Sequence, residues 1–194
     1  MSDPDPYPSP NNGGLSNNDI ERRTWEWFSS AVEVIFGPAY YHVLNHDVGD
    51  LWPDVIALRA HDRVGFEITS PLRPEDVVKK HSSSAADDEA EMPVQRQLEK
   101  RVIEALKRKI KKYGNRKMQL PLALLITLAH PSTMKFFSHT DLEHLSQVVK
   151  SVLGHLLHQP IDAVYLVGPG ERAHLLWRRR GAQWKKLFPE LEQG

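Results

Sequence analysis

Apolar positions recur with two different periods along this chain, and the changes between them mark out its elements. Ile20, Trp25, Phe28, Ala31, Val32, Ile35 and Phe36 share one broad face at helical spacing. This predicts a helix over 18–36, capped by Asn18 or Asp19 and ended by Gly37-Pro38. Residues 39–45 have the aromatic and β-branched content of a strand. After a loop over 46–52, two short strands are predicted, Asp54–Arg59 and Val64–Thr69, joined through Ala60-His61-Asp62-Arg63. Three strands in such close succession suggest an antiparallel meander. In the last of them Val64, Phe66 and Ile68 share one face, while Gly65, Glu67 and Thr69 share the other. Residues 70–93 are broken by Pro71 and Pro74 and read as a long loop.

The strongest helix is predicted over 94–113. Val94, Leu98, Val102, Ala105, Leu106, Ile110 and Tyr113 form its stripe, and Gly114-Asn115 stops it. The nearly unbroken apolar run over 120–128 has the character of a central strand covered on both faces. A helix over 140–157, a buried strand over 161–167, a last strand over 172–178 and a short helix after Gly181 complete the pattern. The order predicts an α/β fold, a mixed central sheet flanked by helices, in a single domain over 18–194. Residues 1–17, rich in Pro, Asn, Ser and Gly, read as a disordered tail.

Composition narrows the function classes. The chain has 194 residues and no cysteine, which excludes disulfides, thiolate metal sites and a cysteine nucleophile. No apolar run approaches the ~20 residues of a membrane span, and no basic-then-apolar leader opens the chain. A cytoplasmic protein is the expectation. The formal net charge is +0, but the charge is unevenly placed. Acidic residues crowd 75–91, whereas Lys100, Arg101, Lys107, Arg108, Lys111, Lys112 and Lys117 follow closely, and Arg178, Arg179 and Arg180 form a second basic group. A neutral total can therefore hide a basic face suited to a polyanion, although charged helix faces also serve simply to keep a helix solvated.

Several polar residues sit where the pattern expects apolar ones. Lys109 lies within the stripe of its helix, an expensive place for an ammonium group unless an anion meets it or its stem carries it to solvent. Gln95 lies on the same stripe. Glu21 falls on the apolar face of the first helix, where it either reaches a site or only favours the helix dipole. Glu67 has apolar neighbours on both sides; it either lies under a helix and needs a partner, or pairs with Arg59 or Arg63 across the hairpin. Asp54, after Pro53, either starts a site or makes turn hydrogen bonds. His42, His46 and His61 cluster around the same strands, but no zinc spacing appears, nor any phosphate-binding glycine loop or nucleophile elbow.

Pro53-Asp54 at the head of one strand, Glu67-Ile68-Thr69 in the next, and the order helix, three strands, helix, strand together resemble the PD-(D/E)xK superfamily of restriction-endonuclease-like nucleases. The resemblance covers roughly residues 18–167. It implies an αβββαβ core and a metal-dependent phosphodiesterase that hydrolyses DNA, with RNA second. Asp54 and Glu67, with the Ile68 carbonyl, would bind Mg²⁺ or Mn²⁺, and Glu21 would add a further acid from the first helix. The family's lysine position holds Thr69 here. A lysine supplied from the following helix would replace it, with Lys109 first and Lys112 second; Thr69 and Lys109 would then position water. Gln95, Lys112, Arg178 and Arg179 would contact the substrate, and a homodimer is compatible with this reading. The alternative is a degenerate member that keeps the fold and binds nucleic acid or a protein partner without catalysis.

Overall fold

Six strands lie side by side in the order in which the chain makes them. The structure is a computed structural model, and it describes residues 17–36, 41–45, 53–59, 61–71, 94–113, 120–127, 139–154, 160–169 and 172–191. Its elements are α1 (Asn17–Phe36), β1 (Tyr41–Asn45), β2 (Val55–Arg59), β3 (Asp62–Thr69), α2 (Val94–Tyr113), β4 (Leu122–Thr127), α3 (His139–Gly154), β5 (Ala163–Gly168), β6 (Arg172–Arg178) and α4 (Ala182–Leu187). Apart from Asn17, the expected N-terminal tail lies outside the described residues, as does the loop expected over 70–93 beyond Pro71.

The sheet order is β1-β2-β3-β4-β5-β6. β1, β2 and β3 pair antiparallel, β3, β4 and β5 pair parallel, and β6 returns antiparallel to β5. The expected α/β architecture with a mixed central sheet is therefore present. Both parallel connections contain a helix, α2 before β4 and α3 before β5, as parallel pairing demands.

Alternation along the strands divides the core in two. Val55, Ala57, Val64, Phe66, Ile68, Leu125 and Tyr165 join Trp25, Phe28 and Val32 of α1 on one face, with Leu187, Phe188 and Leu191 from the C-terminal segment. Leu122, Leu124, Ile126, Val164 and Leu166 join Val102 and Leu106 of α2 and Leu145, Val149 and Leu153 of α3 on the other. With helices on both faces, the wholly buried runs of β4 and β5 follow. The first core is largely aromatic: Phe28 meets Tyr165 at 4.9 Å between ring centroids, and Trp25 meets Phe66 at 5.0 Å.

The β2–β3 connection is tighter than its sequence suggests. β3 begins at Asp62, which pairs with Arg59, so the ladder runs two residues closer to the turn than the sequence pattern predicts. His61 takes a φ of 84° there, a left-handed conformation that histidine tolerates better than most side chains.

Candidate active site

Glu67 lies on the α2 face of β3, as the alternation requires, and only 2% of its side chain is exposed. An ionised carboxylate buried to this degree needs partners. Lys109 of α2 supplies the first, with Nζ 2.5 Å from Oε1. Helical spacing puts Lys109 seven residues after Val102 and three after Leu106, so the ammonium group descends from the stripe itself. Tyr113, one turn further along the same stripe, donates its hydroxyl to the same Oε1 at 2.5 Å. Glu67 Oε2 is buried and has no hydrogen-bond partner among the described residues.

Asp54 stands just before β2, beside the end of β3 that carries Glu67. Its Oδ2 accepts the backbone N–H of Ile68 at 2.6 Å. In an extended strand the N–H and C=O of one residue point to the same side, so the Ile68 carbonyl also faces the Asp54 edge. Gly65 explains how the Pro53-Asp54 segment comes so close. A Cβ on residue 65 would stand 2.7 Å from both Pro53 Cγ and Leu120 Cδ1, nearer than packed carbons approach. The absence of a side chain at Gly65 thus makes room for Pro53, and Pro53 carries Asp54.

Two carboxyl groups, those of Asp54 and Glu21, respond to the charges gathered here. Burial holds the Asp54 carboxyl above the usual carboxylate range, and the charge of Glu67 adds to this. The Ile68 N–H and the ammonium groups of Lys109 and Lys112 act in the opposite direction. Glu21 is raised for the same leading reason, burial, with further contributions from Asp54 and Glu67 against Lys109. Glu21 does reach the cluster, from the helix on the other face of the sheet. Among the described residues, no group of three or more acids or histidines is arranged to hold one metal ion, and what links Glu21 to Asp54 and Glu67 here is charge acting through space.

The remaining expected residues divide. Thr69 is half-buried at the end of β3 on the Glu67 face. Lys112 is exposed, and its ammonium group lies 5.0 Å from the centre of the Tyr113 ring. Gln95 is in the first turn of α2, with its side chain outside the described residues. Arg178 and Arg179 are not brought to this cluster. Glu67 aligns with Leu124, then Val164, then Trp177 across the sheet, so both arginines lie three strands away. Arg178 donates to the Phe188 carbonyl at 2.7 Å and is 3.6 Å from Glu190. Arg179 pairs with buried Asp162 at 2.8 Å. Both arginines hold structural contacts on that side of the sheet and do not line the acidic cluster. His61 is at the opposite end of the hairpin from Asp54, and His46 is outside the described residues.

Two residues have roles that their sequence neighbourhood did not disclose. Tyr113 reads as an ordinary core residue of the stripe; the only signal is that its hydroxyl follows Lys109 by one turn. Asp162 sits inside an apolar run, yet it accepts the Leu122 N–H at 3.0 Å and holds Arg179, joining the starts of β4 and β5 to the end of β6. Burial raises its carboxyl, and these two donors oppose the rise.

A cavity of about 630 Å³ opens elsewhere, between the hairpin turn and α4, lined by His61, Arg63, Leu120, Trp184 and Lys186 among others. It shares no residue with the acidic cluster, whose side chains fill their own space by pairing. Among the described residues no helix is long and apolar enough to cross a membrane. No protein-family model matches the chain, and no match was found among curated proteins or solved structures.

Proposed function

We propose that this protein is a metal-dependent phosphodiesterase acting on nucleic acid, DNA ahead of RNA, in the cytoplasm. The observation that carries the proposal is the meeting of Lys109 with Glu67 beside Asp54. These residues lie on three separate segments, and each was singled out from the sequence for its own reason. Their order, with Asp54 just before β2, Glu67 on β3 and Lys109 on α2, agrees with the αβββαβ pattern of the nucleases that the chain resembles.

The residues fit a hard divalent cation. Every available donor is an oxygen, and Mg²⁺ is commonly held by only one or two carboxylates with water completing its shell. Glu67 Oε2 is a buried acceptor with no partner among the described residues, and burial and the charge of Glu67 raise the Asp54 carboxyl; both conditions would be relieved by a cation. Asp54, Glu67 and the Ile68 carbonyl would hold Mg²⁺ or Mn²⁺. Such an ion polarises a phosphate oxygen and lowers the pKa of a bound water.

The chain's own groups supply the rest. Lys109 places a positive charge one carboxylate away from Asp54, where it stabilises the developing charge on a phosphate and orients water by hydrogen bonding. Thr69 adds an uncharged hydroxyl on the same face. Lys107, Arg108, Lys111 and Lys112 are exposed along α2 and would hold backbone phosphates. All of these groups come from one chain, so pairing of two copies is not required to build the site.

A second reading keeps the binding and discards catalysis. It is favoured by the double engagement of Glu67 Oε1, where Lys109 already neutralises the glutamate. The test is cleavage of end-labelled DNA and RNA with Mg²⁺ or Mn²⁺ by wild type, Asp54→Ala, Glu67→Ala and Lys109→Ala. Cleavage by wild type that is lost in all three variants supports the enzyme. Binding without cleavage in wild type supports the degenerate module, and equal cleavage by all four proteins overturns the site.

A further inference from the structure

The structure assigns Tyr113 a role in setting how Glu67 meets a cation; this rests on the metal reading above. Two donors, the Lys109 ammonium and the Tyr113 hydroxyl, converge on a single oxygen of Glu67, each at 2.5 Å. The other oxygen, Oε2, is buried and has no donor among the described residues. The two carboxylate oxygens are therefore not equivalent. Oε1 is the anchored end, which fixes the rotation of the group, and Oε2 is the end left for a ligand that does not yet have one.

Lys109 alone would fix this poorly, because an ammonium group at the end of four methylenes can leave as soon as a cation or phosphate competes for it. The Tyr113 side chain differs. Its ring is 1% exposed and packed in the α2 stripe, and it has few rotatable bonds, so the packing of the ring holds its hydroxyl in place. The hydroxyl can also stay on Oε1 while a cation engages Oε2, since donating a hydrogen bond to a ligating carboxylate does not compete with the ligation. Partners of this kind orient the ligand and raise its affinity for metal, and their removal typically weakens binding by about 10–100-fold. Tyr113 is a positioning residue in this account, not a catalytic one, because it acts through Glu67.

The probe is Mn²⁺ alone, titrated calorimetrically into wild type, Tyr113→Phe, Glu67→Gln and the double variant, each checked for its melting temperature without metal. Tyr113→Phe keeps the ring and the packing. The expected result is a Kd about 10-fold or more weaker in Tyr113→Phe than in wild type, and no further weakening when Tyr113→Phe is added to Glu67→Gln. A merely structural tyrosine would lower the melting temperature and leave the Mn²⁺ Kd unchanged, and that outcome overturns the assignment while the metal reading stands. Absence of Mn²⁺ binding by wild type overturns both. If Tyr113→Phe fails to fold, Tyr113→Met, which also lacks the hydroxyl, takes its place in the titration, and an unchanged Mn²⁺ Kd in that variant overturns the assignment.

Discussion

Lys109→Met keeps the length of the side chain and removes its charge, and the burial of the pair sets the cost. The Lys109 side chain is 18% exposed and that of Glu67 is 2%. Removing the lysine leaves the less accessible partner without its counter-charge, with the Tyr113 hydroxyl still donating to it. Stripping one partner from a buried pair costs about 3–5 kcal/mol, and the surviving hydrogen bond puts this case at the lower end, about 3 kcal/mol. In a chain of this size each kcal/mol moves the melting temperature by roughly 2–4 °C, so Lys109→Met should melt about 6–12 °C below wild type. Glu67→Gln should cost less than half as much, because the lysine left behind can carry its charge to solvent along its own stem. The double variant should be less destabilised than the sum of the two single ones, as expected of residues in contact. Thermal unfolding followed by circular dichroism measures all four proteins. A divalent cation adds a sharper arm: Mn²⁺ should return part of the stability lost in Lys109→Met, because it gives Glu67 a new counter-charge. Equal losses in the two single variants, strict additivity in the double variant, or no response of Lys109→Met to Mn²⁺ would refute the reasoning.

Other expectations follow from the same geometry. Asp54 and Glu21 are both raised, chiefly by burial, so the folded state holds protons that the unfolded chain has released. Stability from this source is present below their unfolded pKa values and is lost as pH rises through the folded ones. Melting curves should therefore show Asp54→Asn and Glu21→Gln above wild type at neutral pH, with the advantage vanishing in acid. Gly65→Ala should cost about 1–3 kcal/mol through overpacking and should weaken Mn²⁺ binding, since the displaced neighbour is Pro53; chemical denaturation and calorimetry read the two effects. Asp162→Ala should cost about 3 kcal/mol by leaving the Leu122 N–H and Arg179 without their acceptor. Assayed well below its melting temperature, this variant should retain wild-type Mn²⁺ affinity, because Asp162 is outside the cluster.

The sequence revealed more of the site than its short motif alone would suggest. Period two along β3 put Glu67 opposite Phe66, and period 3.6 along α2 put Lys109 among Val102, Leu106 and Tyr113. Two regular patterns therefore sufficed to aim both groups at the space between sheet and helix. What stayed hidden depends on contacts between distant segments. Arg178 and Arg179 look like free cations in the chain, but the fold brings Phe188, Glu190 and Asp162 to them. Tyr113 looks apolar by its position, and nothing local shows where its hydroxyl ends. Gly65 looks like an interruption of a strand until Pro53 and Leu120 are seen to occupy its missing side chain. Asp62 and Arg63 have the polarity of turn residues, whereas backbone pairing continues through them on an exposed end of the ladder.

The most direct test of the metal reading is the position of Mn²⁺ in crystals, located by its anomalous scattering. One peak is predicted at the end of β3, about 2.1 Å from Asp54 and from Glu67 Oε2, the usual distance for hard-cation oxygen ligands, with the Tyr113 hydroxyl still on Oε1. Crystals equilibrated with millimolar Mn²⁺ that show no peak there, or a peak that excludes both carboxylates, would contradict the account.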